Sequence, residues 1–130
     1  MSDKGKKEKK KYQVVNNLID QHNVSIFQSQ NSNGINQMVY ENVTNSNNRA
    51  QITAFNYTPA PNTMILIIEA KNQPLIERVV PDNVVSGQSS YVIEVENLKH
   101  LSVRCQGNPS GNGTYQINID TTFYMNNSDS

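Results

Sequence analysis

The stretch Tyr115-Gln116-Ile117-Asn118-Ile119-Asp120 carries an apolar side chain at every second position. A period of two is typical of a β-strand with one face buried and the other face in water. Tyr91–Val95 and Leu101–Cys105 alternate in the same way, whereas Met64–Ile68 is apolar throughout. An unbroken apolar run of this length predicts a strand that is covered on both faces. Together these stretches predict an all-β fold.

The remaining candidate strands lie on either side of these stretches and are separated by turn residues. Prolines interrupt the chain in Thr58–Asn62, and glycines and asparagines dominate Gly107–Gly113. Short strands at regular spacing, with turns between them, are typical of a β-sandwich or a β-barrel. In chain order the candidate strands are Val14–Ile19, Val24–Gln28, Gln37–Val43, Gln51–Tyr57, Met64–Ala70, Leu75–Val80, Ser90–Val95, His100–Cys105 and Thr114–Tyr124.

The charges divide the chain into a basic start and an acidic remainder. The 130 residues include 11 basic and 11 acidic side chains, and a chain of this length predicts one domain. Residues 1–11 contain six of the basic side chains and two of the acidic ones, which leaves residues 12–130 with a net charge of −4. With nothing to bury, the first segment is expected to be a flexible tail. Its basic residues are Lys4, Lys6, Lys7, Lys9, Lys10 and Lys11.

Three interpretations of the lysine tail stay open at this point. It could act as a solvated, solubilising tail, or it could dock onto the acidic body of a neighbouring molecule. It could also neutralise phosphates, as the basic arms of capsid proteins do. Against nucleic-acid binding, the tail contains no arginine, Tyr12 is the one aromatic residue beside it, and the acidic body would repel phosphates. We therefore expect nucleic acid not to be a partner.

The sequence offers no constellation typical of catalysis. His22 and His100 lie in unrelated segments, and no metal-ligand spacing, nucleophile elbow or phosphate-binding glycine loop occurs. His100 and Cys105 are five positions apart on one candidate strand, so their side chains should point to opposite faces. We therefore expect no enzyme activity, no metal and no cofactor.

Cys105 is the single cysteine of the chain. It cannot form an internal disulfide, so it is either a small hydrophobic residue of a half-buried strand or a candidate for an intermolecular disulfide. The lysine run is followed by Tyr12–Asn23, which is too polar for the apolar core of a secretory signal. Met64–Ile68 is too short to cross a bilayer. These features predict synthesis in a cytoplasm without a signal peptide, and no membrane partner.

Residues 50–124 resemble the endospore appendage (Ena) subunits of Bacillus-type spore formers. One matching feature is the strand Gln51–Asn56, which follows a polar N-terminal segment. A second is Ser86–Tyr91, which leads into Val95–Cys105, and a third is the glycine-rich turn of Gly107–Ile117 that enters a final long strand. The resemblance implies a single jelly-roll β-sandwich of about eight strands. It also implies subunits that pair through strand edges into rings or helical fibres at the spore surface or exosporium, after synthesis in the mother-cell cytoplasm.

The resemblance further implies an N-terminal connector that reaches into a neighbouring subunit. In the family this connector carries cysteines for intersubunit disulfides, but residues 1–49 of this chain contain none. The domain boundaries that follow are a basic tail and connector over 1–23, the sandwich over 24–125 and a polar tail over 126–130. The candidate connector and interface residues are the six tail lysines, Tyr12, Val14, Val15, Leu18 and Ile19.

The sequence thus predicts a structural, self-assembling subunit whose main partner is a second copy of itself, with other spore-surface proteins as further partners. Two alternatives remain. One is a capsid-like or other nucleic-acid-binding β-domain that uses the lysine tail. The other is a carbohydrate-binding jelly roll, which only scattered tyrosines and asparagines favour.

Overall fold

Eight β-strands make up the secondary structure of the computed structural model, which describes residues 18–44, 46–58, 62–81 and 90–124. No helix occurs within these ranges, so the all-β prediction is confirmed. The strands are β1 (Leu18–Asn31), β2 (Asn33–Glu41), β3 (Asn48–Asn56), β4 (Thr63–Ala70), β5 (Ile76–Val80), β6 (Tyr91–Glu96), β7 (Leu98–Gln106) and β8 (Asn112–Tyr124).

The strands form a sandwich of two four-stranded antiparallel sheets. The first sheet has the order β1-β8-β3-β6, and the second has the order β2-β7-β4-β5. The first strand therefore pairs with the last, β2 with β7, β3 with β6 and β4 with β5. We interpret this nested pairing as the order of a jelly roll. It places β1 and β2 on one side of the sandwich, and β5 and β6 on the other.

The core lies between the two sheets and consists of the alternating apolar residues. Tyr115, Ile117 and Ile119 of β8 are fully buried. Leu101, Val103 and Cys105 of β7 are also fully buried and face them from the second sheet. A buried Ile, Leu or Val side chain stabilises a fold by about 1.5–3 kcal/mol. The inward faces predicted from the alternation of these strands are confirmed.

β4 is covered on both faces, as its apolar run predicts. Ile65 and Ile67 point away from the core, yet they are only 7% and 6% exposed. They lie under an ion pair between Arg104 of β7 and Glu77 of β5, whose Nη2 and Oε1 atoms are 2.9 Å apart. Because β4 lies between these two strands, the aliphatic stems of the pair shield the isoleucines from water. Within the described residues, the outer cover is therefore made of neighbouring side chains.

β1 begins at Leu18, earlier than the predicted start of the sandwich at residue 24. The candidate strand Val24–Gln28 is the middle of one strand of 14 residues, and residues 18–23, assigned above to the connector, contribute to its pairing with β8. Because Gln21, His22 and Asn23 are all polar, the apolar alternation did not predict this part of the strand. It is held by backbone pairing with β8 and does not depend on an apolar face of its own.

Candidate assembly edges

Four strands lie at sheet edges: β1 and β6 in the first sheet, and β2 and β5 in the second. Within the described residues, no further strand pairs with their outer sides. An edge strand presents a row of backbone N–H and C=O groups to which another chain can add a strand. The four edges differ in length, regularity and charge.

β1 is the longest edge, and its register with β8 is continuous from Asp20 to Asn31. Hydrogen bonding alternates along an antiparallel pair, so every second residue of an edge strand points its N–H and C=O away from its neighbour. The Ser32 N–H donates to the Gly111 carbonyl at 2.9 Å, which assigns the even-numbered residues of β1 to the ladder with β8. The outward-pointing residues are then Gln21, Asn23, Ser25, Phe27, Ser29 and Asn31.

On the outer face, amides and hydroxyls of β1 bond across to β8, and Asn23 donates to the Asp120 carboxylate there. The Ser25 hydroxyl donates to Oδ1 of Asn118 at 2.8 Å, and the hydroxyls of Ser29 and Thr114 are 2.8 Å apart. Cross-strand pairs of this kind hold the register of an edge strand. Asp20 and His22 are the only titratable side chains of β1.

The inner side of β1 is fixed by a buried hydrogen-bond chain. Nε2 of Gln28 donates to the Tyr115 hydroxyl at 2.6 Å, and that hydroxyl donates to Oε1 of Gln30. Nε2 of Gln30 in turn donates to the Val103 carbonyl in the second sheet at 2.9 Å. Burial raises the pKa of Tyr115 to about 12, so the phenol stays a donor at ordinary pH. β1 is therefore a rigid edge whose inner side is satisfied.

The other three edges carry features that hinder pairing. β5 has five residues, with Pro74 two positions before it and Pro81 directly after it. β2 has two register shifts against β7, and Gly34 within it has a φ of 80°. β6 has six residues and points Glu94 and Glu96 to the outside. Short strands, prolines, bulges and charges are the usual means of blunting an edge.

An aromatic patch lies on the outer face of the first sheet, formed by the exposed Phe27 and Tyr57 and the half-buried Phe55. Phe27 is 67% exposed, and its ring centroid is 6.1 Å from that of Tyr57. Phe55 and Phe27 both lie opposite Gln116 of β8, one from each side. β3 buries Ile52 and Ala54 on its inner face, so its aromatic residues are left outside.

Cys105 lies in the core with its thiol fully buried. A Cβ atom on Gly113 would lie 2.4 Å from the Cys105 sulfur, so the absence of a side chain at Gly113 makes room for the thiol. Burial raises the pKa of Cys105 to about 11, which keeps the thiol protonated and unreactive at neutral pH. This position fits the small hydrophobic interpretation and disfavours the intermolecular disulfide, which stays a prediction.

Most of the candidate connector residues lie outside the described residues: the six tail lysines, Tyr12, Val14 and Val15. Leu18 and Ile19 belong to the beginning of β1. Their role as connector residues stays a prediction.

His100 lies on the outer face of β7, opposite to the side that carries Cys105, so the predicted separation of the two side chains is confirmed. Its Nε2 and Nδ1 atoms are 3.5 Å and 3.3 Å from carboxylate oxygens of Glu41 and Glu69. Each ring nitrogen faces a different carboxylate, so the three groups do not converge on one point. Among the described residues, no group of three histidine, cysteine or acidic side chains is arranged to hold a metal ion.

Among the same residues, no helix is long and apolar enough to cross a membrane.

The edge strands were not recognisable in the sequence, because their position depends on which distant segments pair. The sequence does contain one signal for β1, which is the run from Gln21 to Asn31 with His22 as its one titratable side chain.

No protein-family model matches this chain, and no curated protein matches it. Among solved structures, one from Bacillus endospore appendages, described as a novel family of disulfide-linked pili, has a similar fold. The likeness has a TM-score of 0.58 and covers 81% of this chain and 88% of that chain, at 7% sequence identity. At this identity the likeness shows the fold alone. The chain therefore has a two-sheet β-sandwich with a pilus subunit of Bacillus endospore appendages as a structural neighbour.

Proposed function

We propose that this chain is a structural, non-enzymatic subunit of a spore-surface appendage or a related fibre or ring. Its subunits would polymerise by strand augmentation, with the N-terminal connector docking on a neighbour. The observation that carries the proposal is the β1 edge: 14 residues, almost uncharged and with one register shift at its start. Monomeric proteins blunt an edge of this length, because it otherwise recruits another strand.

The structural neighbour supports the same function. Its description names pili of Bacillus endospores, and the two chains share a fold over most of their lengths. We carry over from it the fibre, the second copy as partner and the spore surface or exosporium as location. Other spore-surface proteins would be partners where the fibre is anchored.

We propose that the contacts between subunits are non-covalent. The neighbour's pili are described as disulfide-linked, whereas the one cysteine of this chain is buried in the core. Strand pairing, side-chain packing and the attraction between the basic tail and the acidic body would then hold the assembly. Fibres of this chain should therefore survive a thiol reductant and migrate as monomers on non-reducing denaturing electrophoresis.

The direct test is negative-stain electron microscopy of the purified protein, combined with light scattering over a concentration series. We expect fibres or rings whose mass increases with concentration. A monodisperse monomer at every concentration would contradict the proposal.

A second candidate function is carbohydrate binding, which the aromatic patch favours. An exposed apolar patch on a polar surface marks an interaction site, and the amides and hydroxyls beside Phe27 could accompany a sugar ring stacked on it. Glycan-array binding by the wild-type chain that is lost in Phe27→Ala would support this function. Unchanged assembly of the same variant would separate it from the structural role.

A further inference from the structure

The first sheet ends in two edges that suit each other. We propose that the free edge of β1 accepts β6 of a second copy, so that the first sheet continues from one subunit to the next. This inference rests on the proposed fibre function and assigns the two strands that would form its interface.

The directions of β1 and β6 allow such a continuation by simple repetition. The first sheet contains four antiparallel strands, so its two edge strands run in opposite directions. When a second copy is placed beside the first in the same orientation, its β6 lies antiparallel to β1. No flip of the second copy is needed, so the contact is head-to-tail and can repeat from one copy to the next.

The free hydrogen-bonding groups of the two edges also match. The Asn97 N–H donates to the Asn48 carbonyl at 2.7 Å, which assigns the odd-numbered residues of β6 to its ladder with β3. Val92, Glu94 and Glu96 then direct their N–H and C=O groups outward. Their side chains lie on the outer face, as do those of the outward-bonding residues of β1. Pairing these residues therefore keeps the outer face continuous across the subunits.

Charge disfavours the self-pairing of β6. Glu96 is already paired with Arg49, whose Nε lies 2.8 Å from its Oε2. Two antiparallel β6 strands would bring Glu94 of one copy close to the carboxylates of the other, and like charges opposite each other destabilise a sheet. β1 offers amides and hydroxyls at the equivalent positions, which can accept this acidic row. Self-pairing of two β1 strands would bury both long edges and stop at a dimer, so it cannot build a fibre.

Proline substitution at the outward-bonding positions of β1 tests the first half of this interface. Ser25→Pro and Ser29→Pro remove N–H groups that point away from β8, which is where an edge strand tolerates proline. Any six-residue segment between Asp20 and Asn31 includes one of these two positions. We expect the double variant S25P/S29P to lose its fibres and sediment as a monomer.

The matched control is S25A/S29A, which loses the same hydroxyl contacts with Asn118 and Thr114 but keeps both N–H groups. It should assemble as the wild type does. Circular dichroism of both variants should show the β-sandwich, with midpoints of thermal unfolding within about 8 °C of each other. Fibres of normal length from folded S25P/S29P would overturn the assignment of β1.

A second pair of variants tests β6. Glu94→Pro removes an outward N–H of β6 and should also abolish fibres. Val79→Pro is its control, since the ladder of β4 with β5 leaves the Val79 N–H on the outer side of the other short edge. That variant should assemble normally. Assembly by folded Glu94→Pro would overturn β6 as the partner strand, and loss of assembly in Val79→Pro would point to β5.

The two levels of inference fail differently. If the wild-type chain stays monomeric, the proposed function fails. If the wild type forms fibres and the proline variants of β1 and β6 do so too, the fibre function stands and this interface is wrong. A wild type that stops at a dimer sensitive to S25P/S29P would identify β1 self-pairing and also overturn the proposal.

Discussion

At the scale of single residues, the contact between Gly113 and Cys105 shows how closely the core is packed. β7 and β8 belong to different sheets, and the Cys105 sulfur occupies the space that a side chain at position 113 would need. A Cβ atom there would also lie 3.0 Å from the Cys105 Cβ and 3.1 Å from the Thr58 hydroxyl. Position 113 is therefore restricted to glycine by space alone.

We expect Gly113→Ala to destabilise the fold by about 1–3 kcal/mol, because extra volume in a packed core forces its neighbours apart. Urea denaturation measures the change. Cys105→Ala in the same chain removes the nearest atom, so the double variant should be more stable than the sum of the two single effects predicts. Simple additivity would show that the clash with Cys105 is not the cause.

The buried thiol gives a second prediction at this scale. Because burial raises the pKa of Cys105 to about 11 from 9.0, the folded protein holds this proton more tightly than the unfolded chain. Stability from this group is therefore intact below pH 9 and declines as the pH rises from 9 towards 11. Replacement of Cys105 by alanine should flatten that part of the stability curve. In that variant, stability still declines at high pH because of Tyr115, since burial raises the pKa of its phenol as well.

At the scale of elements, Asn48 connects the start of β3 to the tight corner between β6 and β7. Asn48 is buried, its Oδ1 accepts from the Leu98 N–H at 3.1 Å, and its Nδ2 donates to the Leu98 carbonyl at 3.4 Å. The corner residue Asn97 has a φ of 59°, and its Oδ1 accepts a hydrogen bond from the Asn48 N–H at 3.0 Å. One asparagine thus joins the first sheet to the strand that enters the second.

Asn48→Ala should lower the free energy of unfolding by about 1–3 kcal/mol, because the buried Leu98 N–H loses its acceptor. The neighbouring Asn47 is exposed, and its backbone carbonyl, not its side chain, binds the Tyr124 N–H. Asn47→Ala is therefore the control and should change stability by less than about 0.5 kcal/mol. Equal effects of the two substitutions in urea denaturation would contradict the role of Asn48.

The same scale explains what the sequence could and could not predict. Alternation located the inner faces of β6, β7 and β8, because apolar residues at every second position have one way to be buried. It missed the first residues of β1, where a polar strand is held by its backbone. It gave no strand order, because the nested pairing joins residues as far apart as Leu18 and Tyr124. The assembly edges follow from that order, so the sequence could not predict them either.

At the scale of the whole molecule, the opposite charges of residues 1–11 and residues 12–130 are the feature that acts over distance. If the lysine tail attracts the acidic body of a neighbour, raising the salt concentration should weaken assembly, since exposed charges are screened within about 10 Å at 0.1 M salt. Backbone pairing between strands lacks this sensitivity.

Deletion of residues 1–11 should accordingly raise the protein concentration needed for assembly at low salt and remove most of the salt dependence. Light scattering over a salt series measures both effects. Deletion of residues 1–17, which stops before β1, tests the wider connector. Assembly that is unchanged in both deletions would assign the tail to solubility alone.

Ser32 by itself joins β1 to β2, and so joins one sheet to the other. It is 1% exposed, and its N–H donates to the carbonyl of Gly111, the residue before β8. One residue spans at most about 3.6 Å, so the connection between the two sheets cannot lengthen. A force applied to β1 is therefore transmitted to both sheets of the sandwich. A neighbouring subunit that pairs with β1 then loads both sheets together and does not separate them.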